Sequence, residues 1–147
     1  MEGSGGTRSA RAMTSEEIDA FLRAGFWGVI ATSVDDQPYG VPIIYGYDDD
    51  GSIYVANGPG QKISMMERNP NVTLTVVEVV DQGKRWRSVI VRGRIEMVEN
   101  LTEKLHAFNT LRKQVPSANP RLRDAAKLAA AKVVRLVAVE ITGKAIW

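Results

Sequence analysis

Six segments of the chain carry the β-branched and aromatic residues that are typical of strands, and turn-forming residues bound each of them. The clearest is the run NVTLTVVEVV, and the tightest turn is Asp48–Gly51, whose acidic side chains can bond their own backbone. The first three strands, joined by tight turns, predict an antiparallel meander. The six predicted strands are Phe26–Ser33, Pro38–Tyr47, Ser52–Asn57, Asn71–Val80, Arg85–Val98 and Val133–Ile141.

Four other segments have helical patterns. The first begins with Thr14 and Glu17, three residues apart, which is the spacing of a capping box. In the third, Asn100 is placed as the cap, and apolar residues follow at helical spacing. Those apolar residues are Leu101, Leu105, Phe108 and Leu111. The predicted helices are Thr14–Ala24, Gln61–Arg68, Asn100–Val115 and, after the linker marked by Pro116 and Pro120, Arg121–Ala131.

The order of these elements predicts the fold class. The helices do not alternate with strands, so a doubly wound nucleotide-binding fold is not expected. Gly93, inside the longest strand, is a plausible bend or bulge, and six antiparallel strands that bend can close into a barrel and remove their exposed edges. We therefore expect a mainly β, six-stranded barrel domain over residues 13–147, behind a disordered Gly/Ser/Arg-rich tail at residues 1–12.

Composition excludes several classes of site. The chain has 147 residues, no cysteine and one histidine, so disulfides, thiolate zinc sites, iron–sulfur clusters, cysteine nucleophiles and multi-histidine metal sites are excluded. A net charge of +2 without a dense basic stripe argues against a nucleic-acid partner. No apolar run approaches the roughly 20 residues that span a bilayer, and no secretory signal is recognisable, so we expect a cytoplasmic protein without a membrane partner.

The side chains offer no catalytic constellation. His106 stands alone and is expected to be a structural or surface residue. Asp48, Asp49 and Asp50 are expected to form a solvated turn, because consecutive carboxylates in a hairpin point in different directions. A chain with so little chemistry of its own can still be an enzyme when a cofactor supplies the reaction.

Two segments suit a flavin. The strand Gly40–Tyr45 offers a glycine that permits close approach and a proline that interrupts the ladder, although an ordinary edge strand has the same pattern. The turn Asn57–Lys62 leads into a helix N-terminus and can bind an anion, although many such turns only begin a helix. Trp86 suits packing as well as ligand contact, and Trp147 suits docking on a partner, on a ligand or on its own core.

In their order and spacing, these segments resemble the pyridoxamine 5'-phosphate oxidase-like flavoproteins, and most of all their nitroimidazole-resistance (Nim-like) branch. The resemblance extends from about Thr14 almost to the last residue. The motifs that carry it are Gly28–Thr32, Gln37–Pro42, Tyr47–Tyr54, Gly60–Lys62, Arg68–Val72, Trp86–Val89, Arg92–Arg94 and Ile141–Ala145.

The resemblance implies a split-barrel homodimer with two FMN sites, each built from both subunits. By position, Val41, Pro42 and Ile43 would line the isoalloxazine ring. Asn57, Gln61 and Lys62 would hold the phosphate, and Trp86 and Ser88 would approach from a neighbouring strand or the other subunit. Members of the wider class also use FAD, haem or a deazaflavin coenzyme.

The implied activity is an FMN-dependent oxidoreductase, which passes reducing equivalents from a nicotinamide cofactor to a small acceptor such as a nitroaromatic or a quinone. Two departures from the Nim-like pattern bear on this. Ala56 stands where those relatives often have a histidine, and Gln61 where they have arginine. A non-catalytic flavin-binding or storage protein is therefore the alternative, and true pyridoxamine 5'-phosphate oxidation ranks third.

Overall fold

The computed structural model describes residues 9–57, 61–115 and 129–147. Its elements include the six predicted strands, one of them divided in two, three of the predicted helices, and one further strand of two residues. In chain order they are β1 Arg11–Ala12, α1 Ser15–Ala24, β2 Trp27–Val34, β3 Gln37–Ile44, β4 Gly46–Tyr47, β5 Ile53–Asn57, α2 Gln61–Arg68, β6 Asn71–Val80, a 3₁₀ turn Asp81–Gly83, β7 Arg85–Val98, α3 Leu101–Gln114 and β8 Lys132–Ile146.

The strands form a single antiparallel sheet in the order β3-β2-β6-β7-β8-β5-β4, with β1 paired to β8. β3 and β4 lie at opposite edges of this order, yet only Tyr45 separates them along the chain. The sheet must therefore curl until its two edges meet at that residue. This curled antiparallel sheet confirms the expected split barrel.

The predicted strand Pro38–Tyr47 is in fact two strands, and the predicted three-stranded meander is wrong. β3 pairs with β2, whereas β4 pairs with β5 at the other edge of the sheet. The physical reason is Tyr45, whose side chain is fully buried and whose hydroxyl donates to the carbonyl oxygen of Leu22 at 2.7 Å. The chain leaves the ladder with β2 after Ile44, buries the ring of Tyr45, and joins the ladder with β5 at Gly46.

The core fills the inside of the barrel. Helix α1 contributes Phe21 and Leu22 to it, and helix α2 contributes Ile63 and Met66. The capping box of α1 is present, since the Thr14 hydroxyl accepts from a backbone amide and the side chain three residues later returns the bond. α1 and α2 thus belong to the barrel core rather than to its surface.

Helix α3 packs separately, mainly on β4 and β5. Phe108 and Leu111 are buried there in a second cluster with Tyr54 and Val133. Leu101 and Leu105, expected on the same apolar face, are 50% and 46% exposed. They lie on the first turns of the helix, which the cluster does not cover.

Gly93 marks a bulge, as the sequence predicted. Arg92 pairs with Glu140 and Gly93 pairs with Ala138, so Val139 is an extra residue on β8. A Cβ atom on Gly93 would lie 2.2 Å from the backbone oxygen of Val137. Only glycine permits this approach of the two strands.

Most bounds agree with the predictions to within one residue, and the larger differences lie toward the two ends of the chain. β8 runs to Ile146 rather than Ile141, because its last residues pair with β7 and with β1. Arg11 and Ala12, inside the expected tail, form β1. The predicted helix Arg121–Ala131 falls largely on residues 116–128, outside the described part of the chain. None of the helices described is long and apolar enough to cross a membrane.

Replacing Gly93 by alanine should destabilise the protein by about 1–3 kcal/mol, because the added methyl group meets backbone that cannot swing aside. Gly40→Ala is the matched control, since a Cβ atom there has its nearest neighbour at an ordinary 3.6 Å. Urea unfolding of the two variants measures the difference. Equal midpoints would contradict the close approach.

The pair of Arg11 and Glu17 should make stability depend on acid pH. Hydrogen bonds from the Arg11 guanidinium lower the pKa of Glu17 to about 2. Because folding lowers this pKa, the pair stabilises the native state at pH values above the unfolded-state pKa of about 4.3. That stabilisation is lost as the pH falls toward 2. In urea titrations, the gap between the wild type and Glu17→Gln should close over that range. Glu16→Gln, a neighbouring change of equal charge, should show a smaller effect.

Candidate functional site

Strand β3 is an edge of the sheet, and its side chains alternate between two faces. Ile43 is 6% exposed and belongs to the barrel core, and Val41 packs against that core. Gly40, Pro42 and Ile44 are exposed on the outer face. The three residues expected to line a flavin ring therefore do not share a face. From the outer side, Val41 and Ile43 can be reached only through their backbone.

The backbone of β3 is open on one side. The strand has β2 as its hydrogen-bonded neighbour, and its other edge faces the split, where β5 comes into contact with it. Such an edge presents unpaired amide and carbonyl groups. It can therefore hydrogen-bond the polar edge of a planar ring, while Pro42 limits self-association along the strand.

The same split brings β5, the strand that precedes the expected anion turn, into contact with β3. Asn57 ends β5 and Gln61 begins α2; their side chains, and residues 58–60, lie outside what the structure describes. Lys62 follows in the first turn of α2 and is partly buried. Burial lowers the pKa of its ammonium group. No carboxylate in the described ranges forms an ion pair with it.

Trp86 and Ser88 lie on the outer face of β7, away from β3 within one chain. In the register of the sheet, Pro42 is opposite Val29, and the row continues across β6 to Ile90 on β7. Three strand spacings separate the ends of this row, about 14 Å. The structure thus brings β5, the strand before the expected anion turn, into contact with β3, whereas Trp86 and Ser88 lie away from β3.

Lys144 is a cation beside Ser88, which the sequence indicated only as part of the motif Ile141–Ala145. It is exposed on β8 directly opposite Ser88. The predicted strand ended at Ile141, so residues 142–147 were expected to be a tail. Side chains in a tail do not alternate between two faces, and the orientation of Lys144 could not be predicted. Once β8 is extended to Ile146, the parity of the strand places Lys144 on the outer face.

An apolar surface covers much of the outer face of the sheet. We call it the outer apolar face. Its members are between 38% and 66% exposed. They are Trp27, Val29, Ile44, Val77, Val79, Ile90, Val137 and Val139. Contiguous apolar surface of this kind marks an interaction site.

The remaining candidates have structural partners. His106 lies 2.6 Å from the carboxylate of Asp48, whereas Asp49 pairs with Arg23 and Asp50 accepts from the backbone of Ser52. The three carboxylates therefore point to three different partners, as expected. Among the described residues no group of three or more histidine, aspartate or glutamate side chains could hold a metal ion.

Trp147 folds back on its own chain. Its ring lies 3.8 Å from the guanidinium carbon of Arg87 and 4.7 Å from that of Arg85. Arg87 also lies over the ring of Phe21 at 5.0 Å, so the C-terminal residue and helix α1 hold one arginine between them. Its own chain thus provides contacts for this tryptophan, one of the explanations left open for it, while 41% of its surface stays exposed.

Similarity to known proteins assigns the chain to a family. Residues 14–145 match the family model described as pyridoxamine 5'-phosphate oxidase. An uncharacterised protein of Rhizobium meliloti, RA0666, is 36% identical over 108 residues, which cover 71% of this chain and 70% of that protein.

Two solved structures share the fold along almost their whole length. An FAD-binding protein from Mesorhizobium loti is 30% identical with a TM-score of 0.74, over 93% of this chain and 96% of that one. A proposed 5-nitroimidazole antibiotic resistance protein from Bacteroides thetaiotaomicron is 25% identical with a TM-score of 0.75, over 98% and 96%. The chain belongs to the pyridoxamine 5'-phosphate oxidase-like family of split-barrel proteins.

Proposed function

We propose that the protein is an FMN-dependent oxidoreductase that works as a homodimer. It passes reducing equivalents from a nicotinamide cofactor to a small acceptor such as a nitroaromatic or a quinone. The observation that carries the proposal is Lys62, a partly buried cation without a carboxylate partner in the described part of the chain, near the start of the helix that follows β5. β5 in turn contacts the open strand β3.

Lys62 fits a phosphate. Burying an ammonium group disfavours its charged form, and an anion at the same place compensates for that cost. The free amides of the first turn of α2 favour an anion at the same end. Asn57 and Gln61, which flank the turn, supply further polar groups. A flavin phosphate held here leaves the ring beside β3, which the split places next to β5.

A second copy of the chain completes the site. The row of paired residues from Pro42 on β3 to Ile90 on β7 is about 14 Å long, and Trp86 and Ser88 lie on β7 at its far end, so they reach a flavin of the other subunit rather than their own. The outer apolar face lies between these positions and supplies the surface that a homodimer would bury. Lys144, beside Ser88, brings a cation to the same place.

The role of the protein in the reaction is to bind and orient. Bound FMN supplies the chemistry, since it accepts a hydride from a nicotinamide and returns electrons to an acceptor. β3 positions the ring through its backbone, Lys62 holds the phosphate, and the apolar residues of the outer face exclude water. No side chain of this set is needed as an acid or a base, which agrees with the structural role of His106.

The alternative is a protein that binds a flavin without turnover. Two substitutions relative to the Nim-like pattern favour this alternative. Ala56, partly buried on β5, stands in place of a histidine, and Gln61 stands in place of an arginine. FAD, haem and a deazaflavin coenzyme are the other cofactors to consider, and the relative from Mesorhizobium loti binds FAD. A visible spectrum of the purified protein separates flavins from haem. Anaerobic addition of NADPH then separates the enzyme, whose flavin band bleaches, from the binder, whose band persists.

Lys62→Gln should weaken FMN binding by about ten- to hundredfold, the equivalent of about 1.5–3 kcal/mol for a lost charge-assisted bond. Riboflavin, which lacks the phosphate, should bind equally well to the wild type and the variant. FMN affinity should fall at alkaline pH sooner than an ordinary lysine would dictate, because burial lowers the pKa of Lys62. Flavin fluorescence titration measures each affinity. An equal loss for FMN and riboflavin would contradict the phosphate role.

Val77→Asp should convert the homodimer into a monomer, because an unpaired carboxylate in a buried interface costs several kcal/mol. Leu101→Asp is the matched control: that leucine is 50% exposed on α3, outside the outer apolar face. Sedimentation velocity measures the mass of each variant. A monomeric wild type, or dissociation by both substitutions alike, would count against the interface.

A further inference from the structure

Lys144 is a cation on the outer side of the sheet whose charge needs an acidic partner. It is exposed on β8, opposite Ser88. In the part of the chain that the structure describes, no carboxylate forms an ion pair with it. Glu140, the one acid of β8, is about 13 Å away along the strand and pairs with Arg92 at 3.3 Å. The homodimer of the proposed function buries this part of the sheet, and an unpaired charge is costly to bury, so an anion has to come from outside the subunit.

The register of the sheet places Lys144 in the same row as the end of β3. This row is one step along from the row that joins Pro42 to Ile90. Its members on β3, β2, β6, β7 and β8 are Ile44, Trp27, Val77, Ser88 and Lys144. Four strand spacings, about 19 Å, separate the two ends. Along the sheet of one chain, Lys144 therefore lies far from β3.

A homodimer brings the two ends of this row together. Two copies that bury the same face are related by a two-fold axis between their sheets. For aligned sheets the axis runs either across the strands, which places each strand over its own copy, or along them. The proposed function requires β7 over the β3 of the partner, so the axis runs along the strands, between β2 and β6. β8 then lies one strand spacing beyond the partner's β3, over its open edge.

Strand β3 has no acidic residue that could receive this lysine. Its sequence is QPYGVPII, so it offers only backbone at the open edge. The flavin ring that the proposed function places there fits the lysine, since a positive charge near the ring nitrogens tunes a flavin. Aligned sheets cross at about 30°, which moves β8 by about one row along β3, and the flexible stem of a lysine spans that distance.

We propose that the ammonium group of Lys144 contacts the flavin ring bound in the other subunit and stabilises its reduced form, an inference that rests on the proposed function. Reduction brings two electrons and one proton to the neutral ring, as one hydride, and leaves it with one negative charge. A cation beside the ring interacts more strongly with that charge than with the oxidised ring. Lys144 therefore raises both the affinity for reduced flavin and the two-electron reduction potential.

Lys144→Gln should leave the affinity for oxidised FMN within about threefold of the wild type and weaken the affinity for reduced FMN about tenfold. For a two-electron couple, a tenfold difference lowers the midpoint potential by about 30 mV. Lys144→Arg keeps the charge and should keep most of the potential. Lys113→Gln, which removes one exposed positive charge from α3, is the control and should change nothing. Anaerobic redox titration of the FMN-loaded protein measures the potential, and flavin fluorescence measures the affinity of the oxidised form.

Riboflavin separates the ring from the phosphate as the group that Lys144 contacts. Protein loaded with riboflavin should show the same fall in potential in Lys144→Gln. A loss of affinity confined to FMN, equal for its oxidised and reduced forms, would mean that Lys144 binds the phosphate, and it would overturn the assignment.

The position of Lys144 can be tested without flavin, because the chain has no cysteine. In the double variant Lys144→Cys/Ile44→Cys, a short bismaleimide should link the two subunits into a covalent dimer on a denaturing gel. Neither single variant should be linked, since the axis along the strands separates each residue from its own copy by at least three strand spacings, about 14 Å.

These measurements keep the two proposals apart. A wild type that is monomeric or takes up no flavin would contradict the proposed function and the assignment with it. A flavin-loaded homodimer whose potential is the same in Lys144→Gln would overturn only the role of Lys144. Absence of the cross-link in such a homodimer would overturn the axis along the strands. Sedimentation and urea midpoints equal to those of the wild type confirm that each variant is dimeric and folded.

Discussion

The burial of Tyr45 is the constraint on which the rest of the structure depends. Its ring is fully enclosed, burial raises the pKa of its phenol, and its hydroxyl donates to the carbonyl of Leu22. The side chain of Gln114 on α3 donates to the same carbonyl and to that of Gly25, and it accepts from the backbone of Tyr47. Two helices and strand β4 are thus fixed around one ring, and the two edges of the sheet must meet there.

The candidate site follows from this closure. Because the edges meet at Tyr45 without forming a continuous ladder, β3 keeps an open side that β5 contacts. The core fills the inner side of the sheet, whereas the outer side carries the outer apolar face around Val77.

Local patterns predicted much of the fold. The capping box at Thr14, the bounds of α2, β6 and β7 and the bulge at Gly93 follow from short-range chemistry and are present in the structure. The split of Pro38–Tyr47 could not be predicted, because the ring that causes it is buried by residues far along the chain. For the site, composition indicated a cofactor, but register alone assigns Ile43 to the core and Lys144 to the outer face.

Strand β8 has a consequence for how the protein is made. It pairs with β7, β5 and β1, so it joins the N-terminal strand and both halves of the sheet. Contacts between residues so distant along the chain are slow to form. During synthesis the earlier strands must leave the ribosome with β5 and β7 still lacking their common neighbour. The exposed edges of this nascent chain are open to wrong pairing until β8 emerges and pairs with both strands.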